Sequence, residues 1–212
     1  MSLRLCLLTP PPEFALAAKL LDAAADALLA DRTELAASLV VASDLDEIRE
    51  YVIRVVGKMS LEVHHTTKLP KSVPQVEQEK IRMPVRGKEL EVFRRDGWRC
   101  RFCEAKVIDR TARNLLASTF SIESRWTSEE FQRHAALYAM AASLDHVVPH
   151  TRGGSNEDSN LVTACYCCQF GRGNLKLEEV ELADPRERGP TEDRSWDGLS
   201  RLVDSRGATS SV

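Results

Sequence analysis

Ser143-Leu144-Asp145-His146-Val147-Val148-Pro149 opens the stretch that decides the fold. Gly153-Gly154, Asn160-Leu161-Val162-Thr163 and Cys165-Tyr166-Cys167-Cys168 follow it in order. Two short apolar runs on either side of a glycine-containing loop read as a pair of strands, and the chain beyond the cysteines reads as a helix running through Glu178. Upstream, Leu90, Val92 and Phe93 read as a strand or short helix that leads through Arg94-Arg95-Asp96-Gly97-Trp98 into Cys100 and Cys103. Strand, loop, strand and helix with cysteine pairs at both ends is a ββα unit clipped by a metal.

The cysteine spacing carries that metal inference. Five of the six cysteines fall in two tight groups, and Cys100-x2-Cys103 and Cys165-x2-Cys168 supply four thiolates. Zn²⁺ in a structural role takes a closed tetrahedral sulfur shell, and paired C-x-x-C groups outside an oxidising compartment read as such a site rather than as disulfides. Cys167 makes the second pair ambiguous, and the matched spacing favours Cys165 with Cys168. Structural zinc stabilises finger peptides by roughly 10–16 kcal/mol, which suits a ββα unit with little core of its own. Cys6 stands apart and reads as a small hydrophobe.

Working outward, residues 1–65 read as a helical N-terminal region. Phe14, Ala17, Leu21, Ala24 and Leu28 recur at helical spacing, and Thr33 to Val41 suits a shorter helix. Ser43 and Asp46 stand at capping-box spacing ahead of Ile48, Val52, Val55 and Met59. His64-His65 reads as surface. Residues 66–84, with Pro70, Pro74 and Pro84 among polar residues, read as a linker. Thr127 and Glu130 suggest a capped helix carrying Phe131, Ala135, Tyr138 and Ala142 on one face. From residue 184 to 212 the chain reads as an irregular tail in which Trp196, Leu199 and Leu202 can dock back. The expected fold class is therefore α+β, mostly α, with a zinc-stapled ββα core and appended N-terminal helices.

Composition is that of a globular protein and excludes collagen-like, wholly disordered and membrane classes. With no secretory signal pattern at the start, the expected location is cytoplasmic. The formal net charge of −3 hides one basic stretch, Arg82 to Arg113, where ten Lys and Arg face five Asp and Glu. Such a patch suits a phosphate backbone.

Taken together, the run Arg94 to Cys103, Asp145-His146-Val147-Val148-Pro149, Gly153-Gly154, Asn160-Leu161-Val162 and the second cysteine pair resembles the HNH endonuclease family. The resemblance covers roughly residues 90–180, within a domain set at 85–183 that carries an insertion at 104–143. It implies that His146 is the general base, that Asp145 ligates a divalent ion such as Mg²⁺ or Mn²⁺, and that Asn160 ties the loop between the strands. The position of the second metal ligand is Gln169 where the family has His or Asn, and the following lysine position is Arg172, a fork for phosphate. Neutral imidazole suits proton abstraction near pH 7, and a hard cation prefers carboxylate oxygen.

The resulting expectation is phosphodiester hydrolysis in DNA, with RNA as a second candidate substrate and no base-specific readout. Arg94, Arg95, Arg99 and Arg101 would hold backbone phosphates beside the zinc, giving binding a steep salt dependence. Two other readings stand beside it. One is a catalytically weak or inactive zinc module that binds nucleic acid, for which Gln169 is the sign. The other is an interaction protein whose N-terminal helices recruit a partner or form a homodimer.

Overall fold

The structure, a computed structural model, describes residues 3–57, 83–191, 193 and 195–209. Met59, His64-His65 and most of the linker candidate lie outside the described residues. In the N-terminal region α1 (Glu13–Leu29), α2 (Thr33–Ala42) and α3 (Asp46–Val56) form as the apolar spacing predicts, burying Phe14, Ala17, Leu21 and Ala24 from the first and Ile48, Val52 and Val55 from the third. α1 packs on α2, and α3 lies against the core.

The core begins with α4 (Arg86–Arg95), a helix where the sequence left strand and helix open. Glu89 stands in its first turn and Arg94 and Arg95 in its last, matching the helix dipole. Its apolar residues Val92 and Phe93 are buried. The chain then turns through Trp98 into the first cysteine pair. α5 (Arg110–Thr119), inside the insertion, is capped by Asp109, whose carboxylate accepts from the backbone N–H groups of Thr111 (2.7 Å) and Ala112 (3.3 Å).

β1 (Ala142–His146) pairs antiparallel with β2 (Leu161–Cys165), in a register that sets Asp145 opposite Val162 and His146 opposite Leu161. α7 (Tyr166–Arg172) follows β2 without a break. The ββα unit is thus present, in a mostly helical α+β fold. Among the described residues no helix is long and apolar enough to cross a membrane.

Four local expectations are corrected. Residues 127–142 do not form one helix but a 3₁₀ turn (Glu130–Gln132) and α6 (Ala135–Ala139), separated by extended backbone at Arg133. The break exists because His134 is fully buried. Its Nδ1 accepts from the Leu137 N–H at 3.2 Å, and its Nε2 lies 2.8 Å from the Val40 carbonyl, tying the insertion to α2. Ser43 does not cap α3, whose N-cap is Leu45. Its hydroxyl turns back to the Val40 carbonyl at the end of α2 and meets His134. The helix after the cysteines stops at Arg172 rather than Glu178, because Gly173 takes a positive φ of 58° and reverses the chain. The segment beyond residue 184, read as irregular, ends in α8 (Arg201–Thr209), and Trp196, Leu199 and Leu202 are buried in the core.

Cys100, Cys103, Cys165 and Cys168 bring all four sulfurs within 4.8 Å of one another. Zn–S bonds of ~2.3 Å in a tetrahedron put sulfurs about 3.8 Å apart, and Cys103 and Cys165 Sγ stand at 3.7 Å. Hydrogen bonds from Cys100, Cys103, Cys167 and Cys168 hold the Cys165 thiol well below the ordinary range. The donor set fits a structural zinc. Cys167, though buried, is outside the group. The purified chain is expected to carry one equivalent of zinc by elemental analysis. Cys167→Ala and Cys6→Ala should retain that metal, while Cys168→Ser should lose it along with the cooperative unfolding transition. Retention by Cys168→Ser together with loss by Cys167→Ala would reverse the assignment.

Candidate active site

Asp145 and His146 end β1 side by side, and both are buried. They line a cavity of about 230 Å³ together with His150, Thr151, Gln169 and Asn174. The mouth of this cavity is shaped by the loop between the strands. Gly153 sits in the left-handed region at φ 87°, and a Cβ on Gly154 would fall 1.7 Å from the Val148 carbonyl oxygen, so only glycine fits there.

Asn160 fastens that loop. Its Oδ1 accepts from the Val148 N–H at 2.8 Å, and its Nδ2 donates to the carbonyls of Val148 (3.1 Å) and Ser155 (2.9 Å). Every polar atom of the side chain is therefore used to hold the turn that follows His146.

His146 Nε2 lies 2.8 Å from Asn156 Oδ1. An amide carbonyl oxygen only accepts, so Nε2 carries a proton, and in the neutral ring Nδ1 is left with the lone pair. This is the tautomer a general base needs. The His150 ring stands edge-on at 5.9 Å between centroids. Asn156 was not singled out from the sequence. It sits among Ser155, Glu157 and Asp158 in a polar loop, and no local pattern distinguishes it from them.

Asp145 is held by Arg172, whose Nη2 donates to Asp145 Oδ2 at 2.8 Å and to the His146 carbonyl at 2.7 Å. The Nη1 of Arg172 donates to the carbonyls of Val147 (3.2 Å) and Leu175 (2.7 Å), and the side chain is only 1% exposed. The fork expected to meet phosphate is closed on the end of β1 instead. Burial raises the Asp145 carboxyl above its ordinary range, and the guanidinium opposes that rise.

Gln169 also departs from its expected part. Its Nε2 donates to the Leu144 carbonyl at 3.0 Å, and the Ser143 hydroxyl donates to its Oε1. Both ends of the amide are engaged on β1, so in this arrangement Asp145 is the carboxylate that fits a divalent ion and Gln169 does not complete a pair. A hard cation such as Mg²⁺ is commonly held by one or two carboxylates plus waters and substrate phosphate, and one carboxylate suffices for that pattern.

The expected phosphate strip divides. Arg101 is buried and reaches Asp96 and the carbonyls of Pro185 and Arg188. Arg95 donates to Asp96 and to the carbonyls of Asp158 and Leu161, and Arg99 pairs with Asp193 at 2.6 Å and the Glu104 carbonyl. The buried Asp96, which also accepts from the Thr163 N–H at 2.7 Å, organises this network. Arg94 alone of the four is exposed without such a partner among the described residues.

A short antiparallel hairpin with Asp-His at the end of its first strand and a helix after its second forms a ββα unit joined by a four-sulfur cluster. Residues 129–170 match the HNH endonuclease family model, which places this stretch in that family and makes it an HNH domain. Nothing among curated proteins or solved structures matches the chain.

The Asp145–Arg172 pair gives a sharp stability test. Arg172→Met removes the cation from a buried carboxylate and is expected to cost about 3–5 kcal/mol in chemical denaturation. Pairing it with Asp145→Leu should return most of that loss, since neither charge is then stranded. A single substitution with no effect on stability would mean that the pair is not buried in solution.

Proposed function

We propose that the chain is a metal-dependent endonuclease that hydrolyses phosphodiester bonds of DNA, with His146 as general base and Asp145 as ligand to a divalent ion. The observation that carries this reading is the pairing of the two side chains at one strand end in a single cavity, with His146 presenting Nδ1 as an acceptor.

The chain's own groups divide the work as follows. Asn156 fixes the imidazole tautomer and orientation. Nδ1 of His146 takes a proton from water as the water oxygen bonds to phosphorus and the bond to the departing deoxyribose oxygen breaks. Asn160 and Gly154 hold the turn that keeps His146 at the cavity, and Arg172 keeps Asp145 aimed from the strand end. A divalent ion bound at Asp145 would polarise the phosphate and neutralise the charge on the leaving oxygen. Because Arg95, Arg99 and Arg101 are spent on protein partners, phosphate contacts along that strip fall chiefly to Arg94.

A second reading, a zinc module that binds DNA without cutting it, is favoured by one observation: Gln169 is tied to β1 rather than turned to Asp145. The two are separated by supercoiled-plasmid cleavage with Mg²⁺ or Mn²⁺. The expected outcome is metal-dependent nicking or linearisation that His146→Ala lowers by about 10²–10⁴-fold, with Asn156→Ala intermediate. Zinc-loaded, folded wild-type protein that cleaves with neither ion, and for which calorimetry finds no Mn²⁺ site lost in Asp145→Asn, would establish the second reading.

A further inference from the structure

The insertion builds a second cleft beside the reaction cavity. This cleft, about 490 Å³, is lined by Arg86, Glu89, Arg110, Arg113, Tyr166 and Phe170 among others. It shares Met83, Gln169 and Phe170 with the cavity that holds Asp145 and His146, so the two adjoin. Phe170 stands at the junction. It is 53% exposed, yet it is stacked on Tyr166 with ring centroids 4.2 Å apart and planes 24° from parallel.

That ring is positioned by a chain of aromatics from the insertion. Tyr166 lies 4.2 Å from Tyr138, and Tyr138 meets Trp126 edge-on at 6.4 Å. The hydroxyls of Tyr138 and Tyr166 both donate to Glu130, which fixes the stack beneath Phe170. One face of Phe170 is therefore held from below.

The cleft also carries more arginine than carboxylate. Arg86 is neutralised by Asp109 and Glu89, but Arg110 is 57% exposed with Glu89 only at 3.8 Å, and Arg113 lies over Trp126 at 4.8 Å. Burial, with the neighbouring Arg110 and Arg133 adding to it, pushes the Arg113 guanidinium below its ordinary range, and Asp109 opposes the shift. An exposed apolar ring and arginines lining one cleft, next to a hydrolytic cavity, complement a molecule that carries planar bases and phosphates.

We propose that this cleft holds an unpaired stretch of the DNA strand next to the scissile phosphate, with a base stacked on Phe170 and the backbone along Arg110 and Arg113. The proposal rests on the nuclease reading and adds a preference for substrates with single-stranded character, such as forks, flaps or overhangs. It gives residues 104–143 the role of building a strand guide: α5 supplies the arginines, and Trp126, Tyr138 and Glu130 brace the stacking ring. A paired duplex cannot offer a base face to Phe170 without opening, and opening costs unstacking energy that an already unpaired strand does not pay.

The test is fluorescence anisotropy with labelled single-stranded, forked and blunt duplex DNA, in the His146→Ala full-length chain so that binding is read apart from cleavage. Phe170→Ala should weaken single-strand and fork binding roughly tenfold while changing blunt-duplex binding less than twofold, and Phe170→Trp should restore it. Arg110→Ala should lower the slope of log affinity against log salt by roughly 0.7 for the single strand. Thermal melts and zinc content of each variant confirm that the fold is retained. Equal losses for duplex and single strand, no loss for either, or a change in sedimentation with DNA binding untouched would overturn the strand guide while leaving the nuclease reading intact. Absence of DNA binding by any form would overturn both.

Discussion

The four-sulfur cluster is the constraint on which the rest of the core depends. Sixty-one residues separate Cys103 from Cys165, and a cluster that joins them closes this long loop at the point where β2 becomes α7. Closing such a loop is entropically costly to the chain, and metal–thiolate bonds supply free energy on the scale needed to offset it. Once Cys165 and Cys168 are fixed, α7 can only start at Tyr166. Gln169 and Arg172 then face β1, where the first meets Ser143 and Leu144 and the second meets Asp145. A sulfur cluster outside the cavity thereby sets where the carboxylate that lines it points.

Arg172 shows how the site balances two demands. A carboxylate in a buried position is driven toward its neutral form, which binds cations poorly, and a guanidinium alongside opposes that drive. The same cation competes with any divalent ion for the same oxygens. Arg172 limits this competition by approaching one oxygen, Oδ2, and by directing its two Nη groups also to the carbonyls of His146, Val147 and Leu175. It serves as an anchor for Asp145 and as a cap for the hairpin at once.

Much of the site was legible because its residues are fixed by local spacing. The cysteine pairs, Asp145-His146 at a strand end and Asn160 before the second strand each sit in short patterns whose meaning does not depend on distant partners. The part played by Arg172 was not legible, since it depends on where the hairpin and helix finally lie. Gln169 likewise looked like a metal ligand until the register of β1 put the Ser143 hydroxyl beside its amide. The basic strip misled for a related reason: sequence shows the charges of Arg95 and Arg101 but not that Asp96 is buried between them. In the insertion, the helical spacing of Ala135 and Tyr138 was real but short, and the buried His134 interrupts it to satisfy a carbonyl from α2.

The helices before residue 57 and the ββα core share one buried apolar cluster, and at one point in it they meet with no side chain between them. A Cβ on Gly171 would fall 2.6 Å from Val55 and 3.2 Å from Leu7, so α7 meets the N-terminal region across a bare glycine. Arg4 bridges Leu182, and Arg201 pairs with Asp22 and Asp26. These partners lie more than a hundred residues apart along the chain. During synthesis α1 to α3 emerge before the surfaces that complete their burial, the last of which come with Gly171 and α8, far later in the chain. Folding of this protein is thus tied to contacts between distant parts of the chain, and slower than its helix content alone implies.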